Sequence, residues 1–192
     1  MRRPAAFRDP TDLLDTVRRV VASRGPLNEP PERTDASIDR FLVSMRTLGE
    51  GLVDLTALAV ASSRRWVMIA SEWRGEAPQS NRYWQLLAFE DRTAIVEVVS
   101  NSYLAPACRH TATAEQRLRE IGWRAPHRGV SPNWWAAATE PLASTDRIAR
   151  EARLAMRDVL EFTETTKLLV TLFEFSYRAP TAARREWPDQ PW

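Results

Sequence analysis

Apolar residues recur at helical spacing in the first third of the chain and gather into strand-like runs in its middle. Ile38, Phe41, Met45, Leu48, Leu52, Leu55 and Ala59 follow one another at steps of three and four, the spacing of one face of an α-helix. The seam predicts one long helix, capped at Thr34 or Asp35 and running to about Ala61. Gly49 and Gly51 each cost roughly 1 kcal/mol inside a helix, so a break at Gly49 followed by a strand is the alternative. Upstream, Leu13, Leu14, Val17, Val20 and Val21 predict a short amphipathic helix between Pro10 and Gly25. Downstream, three runs rich in β-branched and aromatic residues predict strands at 65–70, 83–89 and 93–99. Glu90, Asp91 and Arg92 are few enough to join the last two runs as an antiparallel hairpin.

Thr113 with Gln116 three positions later reads as a capping box, predicting a helix through Leu118 and Ile121 that ends at Gly122. Residues 123–141 read as irregular. Asp146 then opens a helix with Ile148, Ala152, Ala155, Val159 and Phe162 on one side and Arg150, Arg153 and Arg157 nearly opposite. The apolar stretch 168–175 reads equally as a strand or as a final buried helix, which periodicity does not separate. Together these elements predict an α+β fold, with a small antiparallel sheet of about three strands flanked by a long N-terminal helix and C-terminal helices. Prolines crowd both ends. They divide the chain into an N-terminal extension with a short helix and a Pro-rich linker (1–33), an α+β domain (34–177), and a Pro- and Trp-containing tail (178–192).

Composition changes this picture mainly by subtraction. The 192 residues carry 27 basic and 25 acidic side chains, a net charge of +2. All the basic residues but Lys167 are arginines, interleaved with acids along the whole chain. No apolar run approaches the roughly 18 to 20 residues that span a bilayer, and the basic N-terminus is not followed by the apolar core of a signal peptide. One cysteine, Cys108, cannot form an internal disulfide, which fits a reducing cytoplasm. With 6 glycines, 2 histidines and that one cysteine, the common chemistries lack their parts. Lys167 has no glycines before it to form a phosphate loop, and Gly49-x-Gly51 lacks the third glycine of a dinucleotide fingerprint. Cys108, His110 and His127 fall short of a zinc set, and no nucleophile signature surrounds Cys108. No catalytic residues, metal or cofactor are therefore expected.

Eight tryptophans are the surplus. Trp66 and Trp84 fall within predicted strands and read as core. Tryptophan outside regular elements is enriched at interfaces, which makes Trp73, Tyr83, Trp134, Trp135 and Trp187 the candidate partner-binding set. The arginine stripe, extended by Arg147 to Arg147, Arg150, Arg153 and Arg157, is the candidate basic patch. Asp146 lies four residues before Arg150 and Glu161 four after Arg157, so the stripe reads first as a solvated, internally paired face.

A further pattern runs through the centre of the chain. Phe89 precedes the strand Thr93–Val99, which carries Glu97 and leads into Ser100, Asn101, Tyr103 and Leu104. The capped helix ends in Ile121-Gly122-Trp123 with Pro126 behind it, and Pro132-Asn133-Trp134 follows. This succession resembles the TY-Chap domains common in actinobacterial proteins, which are grouped with type III secretion chaperones and YbjN-like proteins. The likeness covers about residues 84 to 160, and the first long helix by pattern alone. Ile121 stands where leucine is usual, and Trp134-Trp135 is doubled. The resemblance marks Glu97, Ser100, Asn101, Gly122, Trp123, Pro126 and Asn133 as family positions and implies helices on one face of a small antiparallel sheet. It also implies a non-catalytic role: holding a client protein or assembling a complex, often as a homodimer. The expected protein is thus a cytoplasmic, chaperone-like adaptor that binds a client through apolar and aromatic surface. The alternative is a nucleic-acid-associated regulator acting through the arginine face.

Overall fold

A computed structural model describes residues 5–23, 39–62, 65–73, 82–127, 131–138 and 143–174. The elements in chain order are β1 (Ala5–Ala6), α1 (Pro10–Ser23), β2 (Asp39–Ser44), α2 (Met45–Ala61), β3 (Trp66–Glu72), β4 (Tyr83–Ala88) and β5 (Ala94–Val98). A 3₁₀ turn at Pro106–Cys108 follows, then α3 (Ala112–Glu120), β6 (Trp134–Ala138), α4 (Ala143–Asp158) and β7 (Lys167–Glu174). The strands form one sheet in the order β1-β2-β7-β3-β4-β5-β6. Six of them pair antiparallel; the two-residue β1 adds to β2 in parallel at the edge.

The fold class is α+β, as expected, but the sheet is larger than the three strands that the sequence suggested. The three predicted runs are β3, β4 and β5, and β4 and β5 form the expected hairpin. Their turn closes with Arg92 in the left-handed region at φ 62, and its N–H donates to Phe89 O at 3.2 Å. The stretch at 168–175 resolves as β7, and it lies inside the sheet, between β2 and β3. A strand is the form that lets Leu168, Val170 and Leu172 all reach the core, since every second residue points to one side.

The readings of two segments as helix and as irregular chain are corrected. The long N-terminal helix is a strand followed by a helix: β2 runs to Ser44, whose side chain accepts from the Thr47 N–H and caps α2. Thr34 and Asp35 lie outside the described residues. The helix does run through Gly49 and Gly51 to Ala61 as the seam required. A Cβ on Gly49 would stand 3.2 Å from Nε of Arg153 on α4, so the missing side chain leaves room for the arginine. The second correction is β6, which occupies part of the stretch read as irregular. Alanine supplies three of its five residues, so it carries little strand signal, yet all five are buried.

The helices lie on one side of the sheet. α2 and α4 pack side by side, α2 over β4 and β5 and α4 over β5 and β6, while α1 rests on α2 and α3 on α4. Alternate strand residues facing them, among them Trp66, Trp84, Leu86, Val96, Trp134 and Val170, join Leu52, Leu55, Ile148 and Ala155 in one buried cluster. Leu13, Leu14 and Val17 of α1 belong to the same cluster, so the first helix completes the core that α2 begins. α3 is capped by Thr111, whose side chain accepts from the Ala114 N–H. This corrects the Thr113 capping box by two positions.

Candidate functional site

The strand residues that do not face the helices line the opposite side of the sheet, called here the outer face. Register sets them in rows. Phe173, Val67, Leu87, Ile95 and Ala137 stand opposite one another across β7, β3, β4, β5 and β6. At about 4.8 Å per strand this apolar row is about 19 Å long. The next row reads Thr171, Ile69, Gln85, Glu97 and Trp135 across the same strands. A third begins with Leu42, Leu169, Ser71 and Tyr83. Ile69, Tyr83, Leu87, Ile95, Leu169 and Phe173 are half-buried, whereas Val67 and Ala137 are buried.

A polar cluster interrupts this apolar surface at its β5–β6 side. Glu97 is only 6% exposed, and its Oε2 accepts from Nε2 of Gln85 at 2.6 Å and from Nδ2 of Asn133 at 2.9 Å. The same Nδ2 reaches the Tyr83 hydroxyl at 3.1 Å, and Oδ1 of Asn133 accepts from the Ser100 N–H at 3.1 Å. Asn133 thereby ties β4, the end of β5 and the start of β6 together. Burial raises the Tyr83 pKa, the Asn133 bond works against that, and the Glu97 charge adds to it. Beside Glu97, the Arg124 guanidinium lies 4.8 Å from the centre of the Trp135 ring, within cation–π range.

The other family positions hold the chain in place. Oδ1 of Asn101 accepts from the His110 N–H at 2.6 Å, and its Nδ2 donates to His110 O and to Oε1 of Glu115. His110 is 8% exposed, and its Nε2 meets Val99 O at 2.7 Å, so the loop after β5 is closed upon itself. Burial lowers the His110 pKa, the bond to Val99 opposes this, and Arg82 lowers it further while Glu115 and Glu161 raise it. Gly122 takes φ +93, its N–H donates to Arg119 O, and the Trp123 N–H donates to Leu118 O. That pair of bonds is a Schellman ending, and the burial of Trp123 with Leu118 is the apolar contact that accompanies it. Pro126 is exposed.

The sequence-derived contact set divides on this geometry. Tyr83 and Trp135 lie on the outer face, and the alternation of β3 carries Trp73 to the same side, its N–H donating to Lys167 O. Trp134 points the other way, 2% exposed in the core, with Arg119 5.1 Å from its ring centre. Its neighbour Trp135 is 5% exposed. The expectation of two exposed anchors at this position is corrected: both indoles are packed, one on each side of β6. Trp187 lies outside the described residues.

The arginine stripe is tied to carboxylates. Arg147 pairs with Glu151 at 3.2 Å, Arg153 with Glu164 at 3.0 Å and Arg157 with Asp158 at 2.6 Å; Arg150 is exposed. The expected Asp146–Arg150 and Arg157–Glu161 pairs do not form, and Glu161 meets Arg82 instead at 3.0 Å. Asp158 is held below the usual carboxylate range, first by its hydrogen bond to Arg157 and also by Arg117. Among the described residues no group of His, Cys, Asp and Glu is arranged to hold a metal ion. Cys108 is half-buried, His127 exposed and His110 interior.

What sequence reasoning did not single out is the outer face itself. Its signal was present as odd-numbered positions, 67, 69 and 71 in β3 with 73 just after it, then 83, 85 and 87 in β4, and 95 and 97 in β5. The register of β6 and β7, neither of them assigned as a strand from sequence, was needed to join these positions into rows.

The helices are gathered on one side of the sheet and a mostly apolar face lies on the other, within one α+β architecture. Residues 46–174 match the family described as T3SS (YopN, CesT) and YbjN peptide-binding chaperone 3, and the chain belongs to this TY-Chap3 family. Comparison with curated proteins and with solved structures gave no significant match. Among the described residues no helix is long and apolar enough to cross a membrane.

Proposed function

We propose that this protein is a peptide-binding chaperone or adaptor that receives a client segment on the outer face of its sheet. The observation that carries the reading is the apolar row Phe173–Val67–Leu87–Ile95–Ala137 on the side of the sheet opposite the helices. Family membership supports the class of ligand. An extended peptide laid across the row buries its own apolar side chains against Leu87 and Ile95, with Tyr83, Trp73 and Trp135 at the margin. A few such anchors carry most of the energy of a binding surface, about 2 kcal/mol or more at a true hot spot. The role is non-catalytic in this reading. The lone Cys108 fits work in the reducing cytoplasm, and a homodimer like those of related secretion chaperones belongs to the same proposal.

The test replaces Leu87 and Ile95 together by aspartate and measures binding to immobilised apolar nine-residue peptides. Two carboxylates in the centre of the row are expected to weaken binding by at least about tenfold. The same peptides should bind an Arg150→Glu variant as they bind the wild type. Undiminished binding by a folded Leu87→Asp, Ile95→Asp protein would place the client elsewhere.

A further inference from the structure

Among the described residues, Glu97 is the one charged side chain set inside the outer face at its aromatic end. Cross-strand register places it between Gln85 and Trp135, and Ile95 precedes it by two on the same strand. It forms no ion pair with any described residue. Both donors that reach it, the amides of Gln85 and Asn133, converge on Oε2, which leaves Oε1 without a donor among the described residues. The residue retains 6% exposure, and Oε1 is not among the polar atoms shut off from solvent. Arg124, bridged to Trp135, is placed over the Trp135 ring. The carboxylate is deeply set and held in one orientation by two neutral amides. Burying an unpaired charge further is costly, so any occupant that covers this position is selected for a positive group that meets Oε1.

We propose that Glu97 is a specificity-determining residue that selects client segments carrying an arginine or lysine within an apolar stretch. The inference rests on the outer-face reading of function. The client's apolar residues lie on the Val67–Leu87–Ile95 row while its cation reaches Oε1, forming a charge-assisted hydrogen bond in a partly dehydrated setting. Gln85 and Asn133 act as positioning residues that hold the carboxylate. A neutral apolar peptide covers the same row but leaves Glu97 buried and unpaired, and an acidic one adds repulsion.

The experiment uses a panel of acetylated and amidated nine-residue peptides built from Leu, Ile, Val and Phe in varied order. Each is made with arginine, citrulline or glutamate at the centre, immobilised, and titrated with the full chain. Citrulline keeps the shape of arginine and removes its charge. The wild type is expected to prefer arginine over citrulline by about tenfold and to bind the glutamate version least. Glu97→Gln, which keeps an acceptor for Gln85 and Asn133, is expected to bind the arginine and citrulline versions alike. Equal binding of both by the wild type would overturn the role of Glu97 and leave the outer-face reading standing, and this comparison needs no variant to fold. A preference that survives in Glu97→Gln would also overturn it. Failure of every peptide to bind would overturn the outer-face reading and this inference with it.

Discussion

His110 is an interior residue because a backbone carbonyl, Val99 O, accepts from its ring and the chain on either side of it is tied to Asn101. Its neutral form is the one the fold accommodates. Burial lowers its pKa below the ordinary 6.5, so on acidification the unfolded chain binds the proton first and stability falls as pH drops below that value. The wild type should therefore lose more melting temperature than His110→Gln between about pH 7.5 and pH 5.5. Parallel losses in the two proteins, followed by circular dichroism, would show that His110 does not carry the effect. Residue identity alone was a weak guide at this scale. The burial of His110 was not legible, because nothing in its neighbours announces a partner carbonyl eleven positions earlier. Trp134 and Trp135 looked alike and serve opposite faces, because one step along a strand reverses a side chain. Asn133 and Asn101 were legible as family positions, and the structure gives the reason they matter: Asn133 satisfies the buried Ser100 N–H just after β5, and Asn101 satisfies both backbone groups of His110 in the loop before α3.

Elements were legible where a single period governed them. β3, β4, β5, α1 and α4 fall near where the pattern put them, because each keeps one periodicity from end to end. The junction of β2 and α2 was not, for a specific reason. Phe41 and Met45 are four apart, a spacing that satisfies both a helix face and two repeats of a strand. Val43, buried between them, breaks the helical reading and fits the strand. The Ser44 cap then begins the helix. The end of α3 is the clearest local device in the chain. Gly122→Ala forces a Cβ into the left-handed region without removing any contact, and should cost about 1–2 kcal/mol. Urea denaturation of the two proteins measures it; an unchanged midpoint would mean that the Schellman ending is not needed to hold Trp123.

On the scale of the whole molecule, the sequence predicted the class of fold but not the breadth of the sheet, since β6 and β7 come from segments with weak or ambiguous signals and β2 from the start of a helical seam. Breadth is what matters for function. β7 lies between β2 and β3, and β6 extends the far edge, turning separate strands into rows that cross five of them. The same arrangement gathers the helices on one side, where α2 and α4 shield the inner residues, and leaves the other side to the client in the account proposed here. Methyl-labelled protein titrated with an arginine-centred apolar peptide tests that claim most directly. The account predicts shifts at Val67, Ile69, Leu87, Ile95 and Leu169, with Leu48, Leu52 and Ile148 between helices and sheet unmoved. Shifts confined to the helical side, with Leu87 and Ile95 silent at saturating peptide, would contradict it.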